Sequence, residues 1–284
     1  MSAGNIIAFQ GLPGANSHMA CTEAFPRWQS LPCHAFEDAF GAVRERRAAL
    51  AMIPIENSVA GRVADVHHLL PQGELHIVGE HFQRVSHFLL AKPGVDVEQI
   101  RVVHSHVHAL GQCRNFIKRH GLEPVVHADT AGAAQMIASQ GEPGHAAIAS
   151  SLAAEIYGLD ILASGIEDAA HNTTRFLVMA SDPITPPPDP GRVITSFAFR
   201  VRNVPASLYK AMGGFATNAV NMTKLESYVE ADFNQAFFYA DVIGHPSEPA
   251  LSNAFEELNF FTERMQIFGV YPAHPFRFRQ SVTD

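Results

Sequence analysis

The chain has 284 residues, 47% of them hydrophobic and 17% charged, with a formal net charge of −8. A net negative chain without a Lys/Arg-rich block argues against nucleic acid or an anionic membrane surface as partner, and the length suits a globular protein of two domains. Cys21, Cys33 and Cys113 form neither a disulfide framework nor a paired zinc spacing, the opening MSAGNIIAFQG lacks the segments of a signal peptide, and no stretch is apolar enough for a membrane span, so a reduced, cytoplasmic protein is expected.

IIAFQG reads as a strand followed by a Gly-Pro loop, with a helix beginning near Asn16 or Ser17. AALAMIPIENS reads as a buried strand, and a helix beyond Gly61 is predicted to carry Val63, Val66 and Leu70. Val85 to Leu90 is a third strand and Arg101 to Val103 opens a fourth. Ser105 is expected to cap the next helix, which places Leu110, Cys113 and Ile117 on one face and ends at Gly121. Asp129 caps a helix carrying Ala133, Met136 and Ile137, with Gly141 as its stop; AAIAS and TRFLVMA supply the last strands. Strands alternating with helices imply an α/β architecture, compatible with two lobes and a cleft.

Residues 182–191, DPITPPPDPG, hold five prolines and read as an extended linker. Beyond it, Val193, Thr195, Phe197, Phe199 and Val201 alternate as a half-buried strand does. Pro205 starts a helix in which Leu208, Met212 and Phe215 share a face. Strand-like runs Val220 to Val229 and Gln235 to Ile243 follow, joined by a polar turn, EADFN. Ser247 is expected to cap a helix with Pro249 in its first turn and a stripe of Leu251, Ala254, Phe255, Leu258 and Phe261, before a last strand near Gln266 to Tyr271. The order is βαββαβ. This part has no nucleophile and base together and reads as a binding module.

Several groups could carry chemistry. His104, His106 and His108 would share a strand face and grip a metal, but a helix beginning near Ser105 breaks that geometry and no supporting ligand is spaced nearby. Gly11-Leu12-Pro13-Gly14 lacks the Lys-Ser/Thr of a phosphate loop and reads either as part of an anion-binding wall or as a tight turn. Glu56 and Asn57 end a strongly apolar strand, where α/β folds place ligand-binding groups, whereas Ser58 reads as a helix cap. In Asn172-Thr173-Thr174-Arg175-Phe176 a guanidinium beside a buried strand needs an anion, either a structural carboxylate or a ligand. Ser105 and Gln112 could face the same way two helical turns apart, or be a cap and an exposed side chain.

Taken together, FQGLPGANS (9–17), PIENS (54–58), SHVHALGQC (105–113) and GIEDAAHNTTRF (165–176) resemble prephenate dehydratase. NVPASLYKAMGGFA (203–216) and VNMTKLESY (220–228) resemble an ACT regulatory domain. The resemblance covers nearly the whole chain in order. It implies a two-lobed catalytic domain over 1–181, like a periplasmic binding protein, the linker 182–191, and a βαββαβ ACT domain over 192–284. It further implies loss of water and carbon dioxide from prephenate to give phenylpyruvate, without metal or cofactor. The family's functional positions fall on Glu56, Asn57, Ser105, Gln112 and Thr174, with Arg175, Phe176, Thr173 and Asn172 around the substrate. Thr174 takes the proton-transfer role. L-phenylalanine is the implied effector, at Ala206, Ser207, Leu208, Asn221, Glu226 and Ser227, in a homodimer or homotetramer paired through the ACT domains.

Some positions depart from the family pattern. The usual Ser-His-Pro-Gln reads Ser105-His106-Val107-His108, and the usual Tyr after PGA is Asn16. The effector motif Gly-Ala-Leu becomes Ala206-Ser207-Leu208, and Glu-Ser-Arg-Pro becomes Glu226-Ser227-Tyr228-Val229. Arogenate dehydratase is the nearest alternative, since no residue separates the two substrates. A catalytically silent amino-acid sensor is a second, opposed by the intact Thr174-Arg175-Phe176 run, and a periplasmic receptor a third, opposed by the missing signal peptide.

Overall fold

The structure, a computed structural model, describes residues 4–72, 74–229 and 236–278. The chain begins with β1 (Ile6–Gln10), α1 (Asn16–Ala24), β2 (Gln29–Cys33), α2 (Phe36–Arg44), β3 (Leu50–Asn57), β4 (Gly61–Arg62), α3 (Ala64–Leu69) and β5 (His76–Arg84). Next come β6 (Phe88–Ala91), β7 (Val102–Ser105), α4 (Val107–Gln112), α5 (Arg114–Arg119), β8 (Glu123–Val126), α6 (Thr130–Gln140), β9 (His145–Ala149), α7 (Ser151–Tyr157) and β10 (Asp160–Ser164). β11 (Thr173–Ala180) is followed by β12 (Val193–Val201), α8 (Ser207–Thr217), β13 (Met222–Val229), β14 (Ala236–Ile243), α9 (Pro249–Phe261) and β15 (Thr262–Pro272). The turn EADFN expected at 230–234 lies outside the described residues.

Three sheets organise these elements. One has the order β2-β1-β3-β11-β5, with β4 on β3; the second has β10-β6-β9-β7-β8; the third has β13-β14-β12-β15. The first two are the sheets of a two-lobed α/β domain, and the third, with α8 and α9, is the βαββαβ domain expected after the linker. The chain forms two compact units, residues 1–64 with 81–176, and residues 65–80 with 177–284. Residues 182–191 belong to no helix or strand.

The chain passes from the first sheet to the second only through residues 85–87, and returns through 165–172. These two segments are the hinge between the lobes. Val85 N donates to Asn172 O at 2.9 Å, so the hinge segments are bonded to each other.

Apolar patterning explains most of the packing. In the second lobe Leu89, Val103, Leu110, Cys113, Ile117 and Ile148 form one cluster, which places the three expected residues of the 107–119 region on the core. That region is two short helices broken at Cys113. Burial raises the Cys113 thiol well above its ordinary value, so it behaves as a small apolar side chain. In the third sheet Phe197, Phe199, Phe215, Leu251, Ala254, Phe255 and Leu258 close against both helices, as the sequence pattern predicts. The other face of that sheet carries Tyr228 and Tyr239, whose rings lie 4.7 and 5.4 Å from His67 of α3 within the same unit.

Several local expectations are corrected. Val85 to Leu90 is not one strand: β5 ends at Arg84, β6 starts at Phe88, and the residues between them are hinge. The strands β2, β8 and β10 and helix α7 escaped the sequence reading, because their burial is too uneven to show a period. Ser105 does not cap α4; it is the last residue of β7, and His106 caps the helix by accepting from His108 N. Ser247 does not cap α9, whose N-cap is Glu248; Ser247 Oγ instead bonds His245 Nδ1 at 2.7 Å. α8 begins at Ser207, two residues after Pro205. Asp129 does cap α6, accepting from Gly132 N at 2.6 Å. His104 lies on β7 with Nε2 2.9 Å from His145 Nδ1.

Candidate functional site

β3 ends and β11 begins at the hinge, and their polar terminal residues meet there. Asn57 closes β3, and a turn follows in which Val59 N and Ala60 N donate to its Oδ1 at 3.0 and 2.8 Å. Asn57 Nδ2 donates to Thr174 Oγ1 at 2.9 Å and to Asn172 Oδ1 at 2.8 Å. Asn172 Nδ2 continues to Gln112 Oε1 at 2.9 Å, and His87 Nε2 lies 2.8 Å from the same oxygen. Five side chains from β3, both hinge segments, α4 and β11 thus form one hydrogen-bonded run. Glu56, Asn57, Asn172, Thr174 and Gln112 were all expected at the site; four of them belong to this run.

The hinge loop 165–172 is held over the same region. Glu167 Oε2 accepts from His87 N at 2.9 Å, and Asp168 N donates to Gln112 O at 2.6 Å. Asp168 Oδ1 also accepts from Asn115 N at 3.1 Å. Burial lowers the His87 pKa, offset in part by the Gln112 bond and the Glu167 charge, which favours the neutral ring.

Arg175 is 3% exposed, and its Nη1 donates to Glu56 Oε1 at 3.0 Å. The buried guanidinium thus has a structural carboxylate, the first of the two alternatives that the sequence left open. Glu56 is part-exposed and follows the same strand end as Asn57, so the ion pair and the relay share β3 and β11.

Other expected residues lie elsewhere. Ser105 is fully buried, and its hydroxyl donates to Ile148 O at 2.5 Å on the neighbouring strand, so it joins the sheet and not the relay. The helical alignment of Ser105 with Gln112 fails because Ser105 is not in the helix. Phe176 is 1% exposed; it lies two residues beyond Thr174 on the same strand face and packs in the core instead of lining an opening. Thr173 N donates to Ser58 Oγ at 3.0 Å, and that hydroxyl donates to His171 O at 2.8 Å. Ser58 therefore ties β3 to the 165–172 loop instead of capping a helix.

The Gly11–Gly14 loop is a tight turn that meets the second lobe. Gly14 has φ +90°, and a Cβ there would come within 2.8 Å of Ala153 Cα. Ser150 Oγ donates to Gly14 O and Tyr157 OH to Pro13 O, at 2.5 and 2.9 Å. Neither Ser150 nor Tyr157 was foreseen, nor was His87; each is a lone polar residue in an ordinary pattern until the fold brings its partner near. A cavity of about 330 Å³ lies at the end of α1, lined by Asn5, Phe25, Arg27 and Trp28 among others, and contains none of the relay residues.

The positions expected to bind an effector lie in the second unit. Ala206 caps α8 at φ +64°, and Ser207 Oγ donates to Val204 O at 2.9 Å. Leu208 packs partly on the aromatic cluster. Asn221 O accepts from Ile243 N, Glu226 pairs with Lys224 at 3.3 Å, and Ser227 is exposed on β13, an edge strand. Among the described residues, no group of three or more His, Cys, Asp and Glu side chains is placed to hold a metal, and no helix is long and apolar enough to cross a membrane.

Known proteins align with this arrangement along nearly its full length. The chain is 53% identical over 279 residues to a bifunctional N-acyl-homoserine lactone acylase/prephenate dehydratase of Komagataeibacter europaeus, covering 98% of this chain and 99% of that protein. It is 39% identical over 282 residues to arogenate dehydratase/prephenate dehydratase 1, chloroplastic, of Arabidopsis thaliana, covering 94% of this chain and 71% of the other. The crystal structure of prephenate dehydratase in complex with L-Phe from Arthrobacter aurescens superposes with a TM-score of 0.87 at 28% identity, over 96% of this chain and 91% of that one. The family model for prephenate dehydratase matches residues 7–184, the span that holds every member of the hinge relay, and the chain belongs to the prephenate dehydratase family.

Proposed function

We propose that this chain converts prephenate to phenylpyruvate, with Thr174 as the proton donor, and that phenylalanine binding to residues 192–284 regulates it. The observation that carries this reading is the Asn57 Nδ2 to Thr174 Oγ1 bond of 2.9 Å at the interlobe hinge. It fixes a hydroxyl beside a set of neutral amides and next to the Arg175–Glu56 pair.

In the reaction the bond from the ring to its carboxylate breaks and carbon dioxide leaves. That electron pair moves through the ring as it becomes aromatic, and the bond to the ring hydroxyl breaks at the far side. The Thr174 hydroxyl donates toward that oxygen as its basicity grows, so water departs instead of hydroxide, and a solvent proton restores the hydroxyl. A positioned general acid contributes roughly 10²–10⁴-fold. Gln112 supplies a neutral donor near the substrate through its Nε2, Asn57 orients the Thr174 hydroxyl, and Arg175 supplies the countercharge for one carboxylate, with Glu56 holding the guanidinium in place. Ser105 supports the strand end next to this region. Aromatisation drives the step, so this route requires no cofactor.

In the same reading, 182–191 is the linker and 192–284 an ACT domain. Effector binding at the N-terminus of α8 and along β13 would involve Ala206, Ser207, Leu208, Asn221, Glu226 and Ser227. Assembly as a homodimer or homotetramer through this domain would place the effector between subunits. Arogenate is the alternative substrate, since it differs only in bearing an amine in place of the side-chain ketone.

A second reading is favoured by the bifunctional relative, which matches this chain from end to end: hydrolysis of the amide of an N-acyl-homoserine lactone. One set of assays separates the readings. Phenylpyruvate formation from prephenate, with and without phenylalanine, tests the first, with arogenate run in parallel. A kcat/KM more than tenfold higher for arogenate would change the substrate. Release of free fatty acid from an N-acyl-homoserine lactone, with no turnover of either ring acid, would replace the dehydratase reading.

A further inference from the structure

Each bond of the hinge relay has a direction, and the directions follow from two backbone amides. Val59 N–H and Ala60 N–H both donate to one atom of the Asn57 amide, which must therefore be its oxygen. The two hydrogens on Asn57 Nδ2 are then used on Thr174 Oγ1 and Asn172 Oδ1. Since Thr174 Oγ1 accepts, its own proton turns away from Asn57. Since Asn172 accepts through Oδ1, its Nδ2 faces Gln112, and Gln112 must present Oε1. The group that meets the same oxygen from the other side is His87 Nε2 at 2.8 Å, and only a protonated Nε2 can satisfy it.

We propose that His87 is a positioning residue that closes the far end of this relay, holding the Gln112 amide in the one orientation that the Asn57 end accepts, so that Asn172 and Asn57 stay in place and Thr174 keeps its proton for the substrate. The logic is a steric and electrostatic lock at both ends. If Gln112 turned over, its NH₂ would face the NH₂ of Asn172. Asn172 would then have to turn as well and point its NH₂ at Asn57. Asn57 cannot follow, because Val59 and Ala60 hold its oxygen. A buried donor facing a donor is costly, so the whole run has one low-energy direction. His87 is suited to the end position: it is 3% exposed, and its backbone N–H is fixed on Glu167. Its position within the 85–87 hinge segment ties the relay's direction to the lobe connection.

This inference rests on the dehydratase reading, and its test separates the two. Kcat and KM for prephenate are measured for the wild type, His87→Ala, His87→Gln, Thr174→Ala and the double variant His87→Ala/Thr174→Ala. His87→Ala is expected to lower kcat about tenfold with KM changed less than about threefold. His87→Gln is expected to recover most of that loss, because a glutamine amide can offer an N–H to Gln112. In the Thr174→Ala background, His87→Ala is expected to have no further effect on kcat, as two groups acting through one bond path are not additive. Equal losses in both backgrounds, or a His87→Gln enzyme as slow as His87→Ala, would overturn the proposal in favour of a packing role. Should His87→Ala not fold, His87→Gln is compared with His87→Glu, an acceptor of similar shape; equal kcat values overturn it. Ring ¹⁵N shifts of the wild type, assigned by the signal lost in His87→Gln, give a readout independent of turnover. An Nε2-protonated tautomer supports the lock, and an Nδ1-protonated one refutes it even if the enzyme proves to act on another substrate.

Discussion

The hinge relay and the Glu80–Arg277 pair are both largely withdrawn from water, yet one is built from neutral groups and the other from full charges. In the relay, Asn57, Asn172, Gln112, His87 and Thr174 exchange bonds of 2.8–2.9 Å with no formal charge among them. In the second unit the Glu80 side chain is 0% exposed and takes Arg277 Nε and Nη2 at 2.6 and 2.8 Å, and also His274 N at 3.0 Å. Burying two charges costs several kcal/mol per ion and is recovered only with such bidentate, fully bonded geometry. Neutral amides cost less to bury, and what they contribute is direction. If the site takes the doubly negative acid proposed above, it needs donors pointed one way. The pair at Glu80 has no such task and serves to hold the strand β5 and the 275–278 turn together.

If that division is correct, damage to the two clusters has different signatures. Glu80→Ala leaves the Arg277 guanidinium part-buried with its bidentate partner removed, and should lower stability by about 3 kcal/mol in urea unfolding. Its kcat at full folding should match the wild type. A large loss of kcat with unchanged stability would break the comparison from one side. Thr174→Ala tests the other. It should lower kcat by at least about a hundredfold, the scale of a lost general acid, while the urea midpoint stays close to the wild type. Near-normal turnover would remove Thr174 from the reaction.

The same contrast explains what could be read from the chain alone. Asn57 announced itself because a polar pair ends the strongly apolar run Leu50 to Ile55, whereas Thr174 and Gln112 were placed at the site only by the family resemblance. The aromatic core of the C-terminal domain was legible for the same reason: Phe197, Phe199 and Phe255 recur at the periods of a strand and a helix. His87 gave no signal, because its function depends on Gln112, 25 residues further along. Glu80 and Arg277 are separated by 197 positions and sit in unremarkable local sequence. Ser105 misled in the opposite direction: Ser followed by a helical pattern reads as a cap, but the strand continues one residue further and turns its hydroxyl into the sheet. Local patterning thus shows where polarity breaks an apolar period and says little about which distant group completes the bond.

The histidines offer a test of intermediate size. Burial lowers the pKa of His18, His81 and His87, and of the more open His104 and His106, below the ordinary 6.5. The unfolded chain therefore binds protons at a higher pH than the folded chain does. The stability these groups provide is complete above pH 6.5 and is lost as the pH falls through their lower folded values. Melting temperature should thus decline from pH 7.5 to pH 5.5, and His87→Gln should make that decline shallower. A melting temperature that rises over the same interval would mean that the rings gain partners on protonation, which the neutral relay does not provide.

The smallest expected effect concerns a single methyl group. Ala206 precedes α8 with φ +64° and ψ 13°, in the left-handed region where a Cβ meets the neighbouring carbonyl. The ACT pattern that this segment resembles has glycine at this position, which adopts the conformation without that contact. Ala206→Gly relieves the strain but gives the unfolded chain more freedom, and the two terms oppose each other. The net gain should be about 0.5–1 kcal/mol, read as a rise in melting temperature of a few degrees. If the backbone at 206 also borders the effector, the added stabilisation at a fixed phenylalanine concentration should grow in this variant, since a ligand at free concentration L stabilises by RT ln(1 + L/Kd) and a tighter Kd raises that value. Higher stability without a larger phenylalanine shift would confine the alanine's effect to the helix cap, and place the effector elsewhere on α8 and β13.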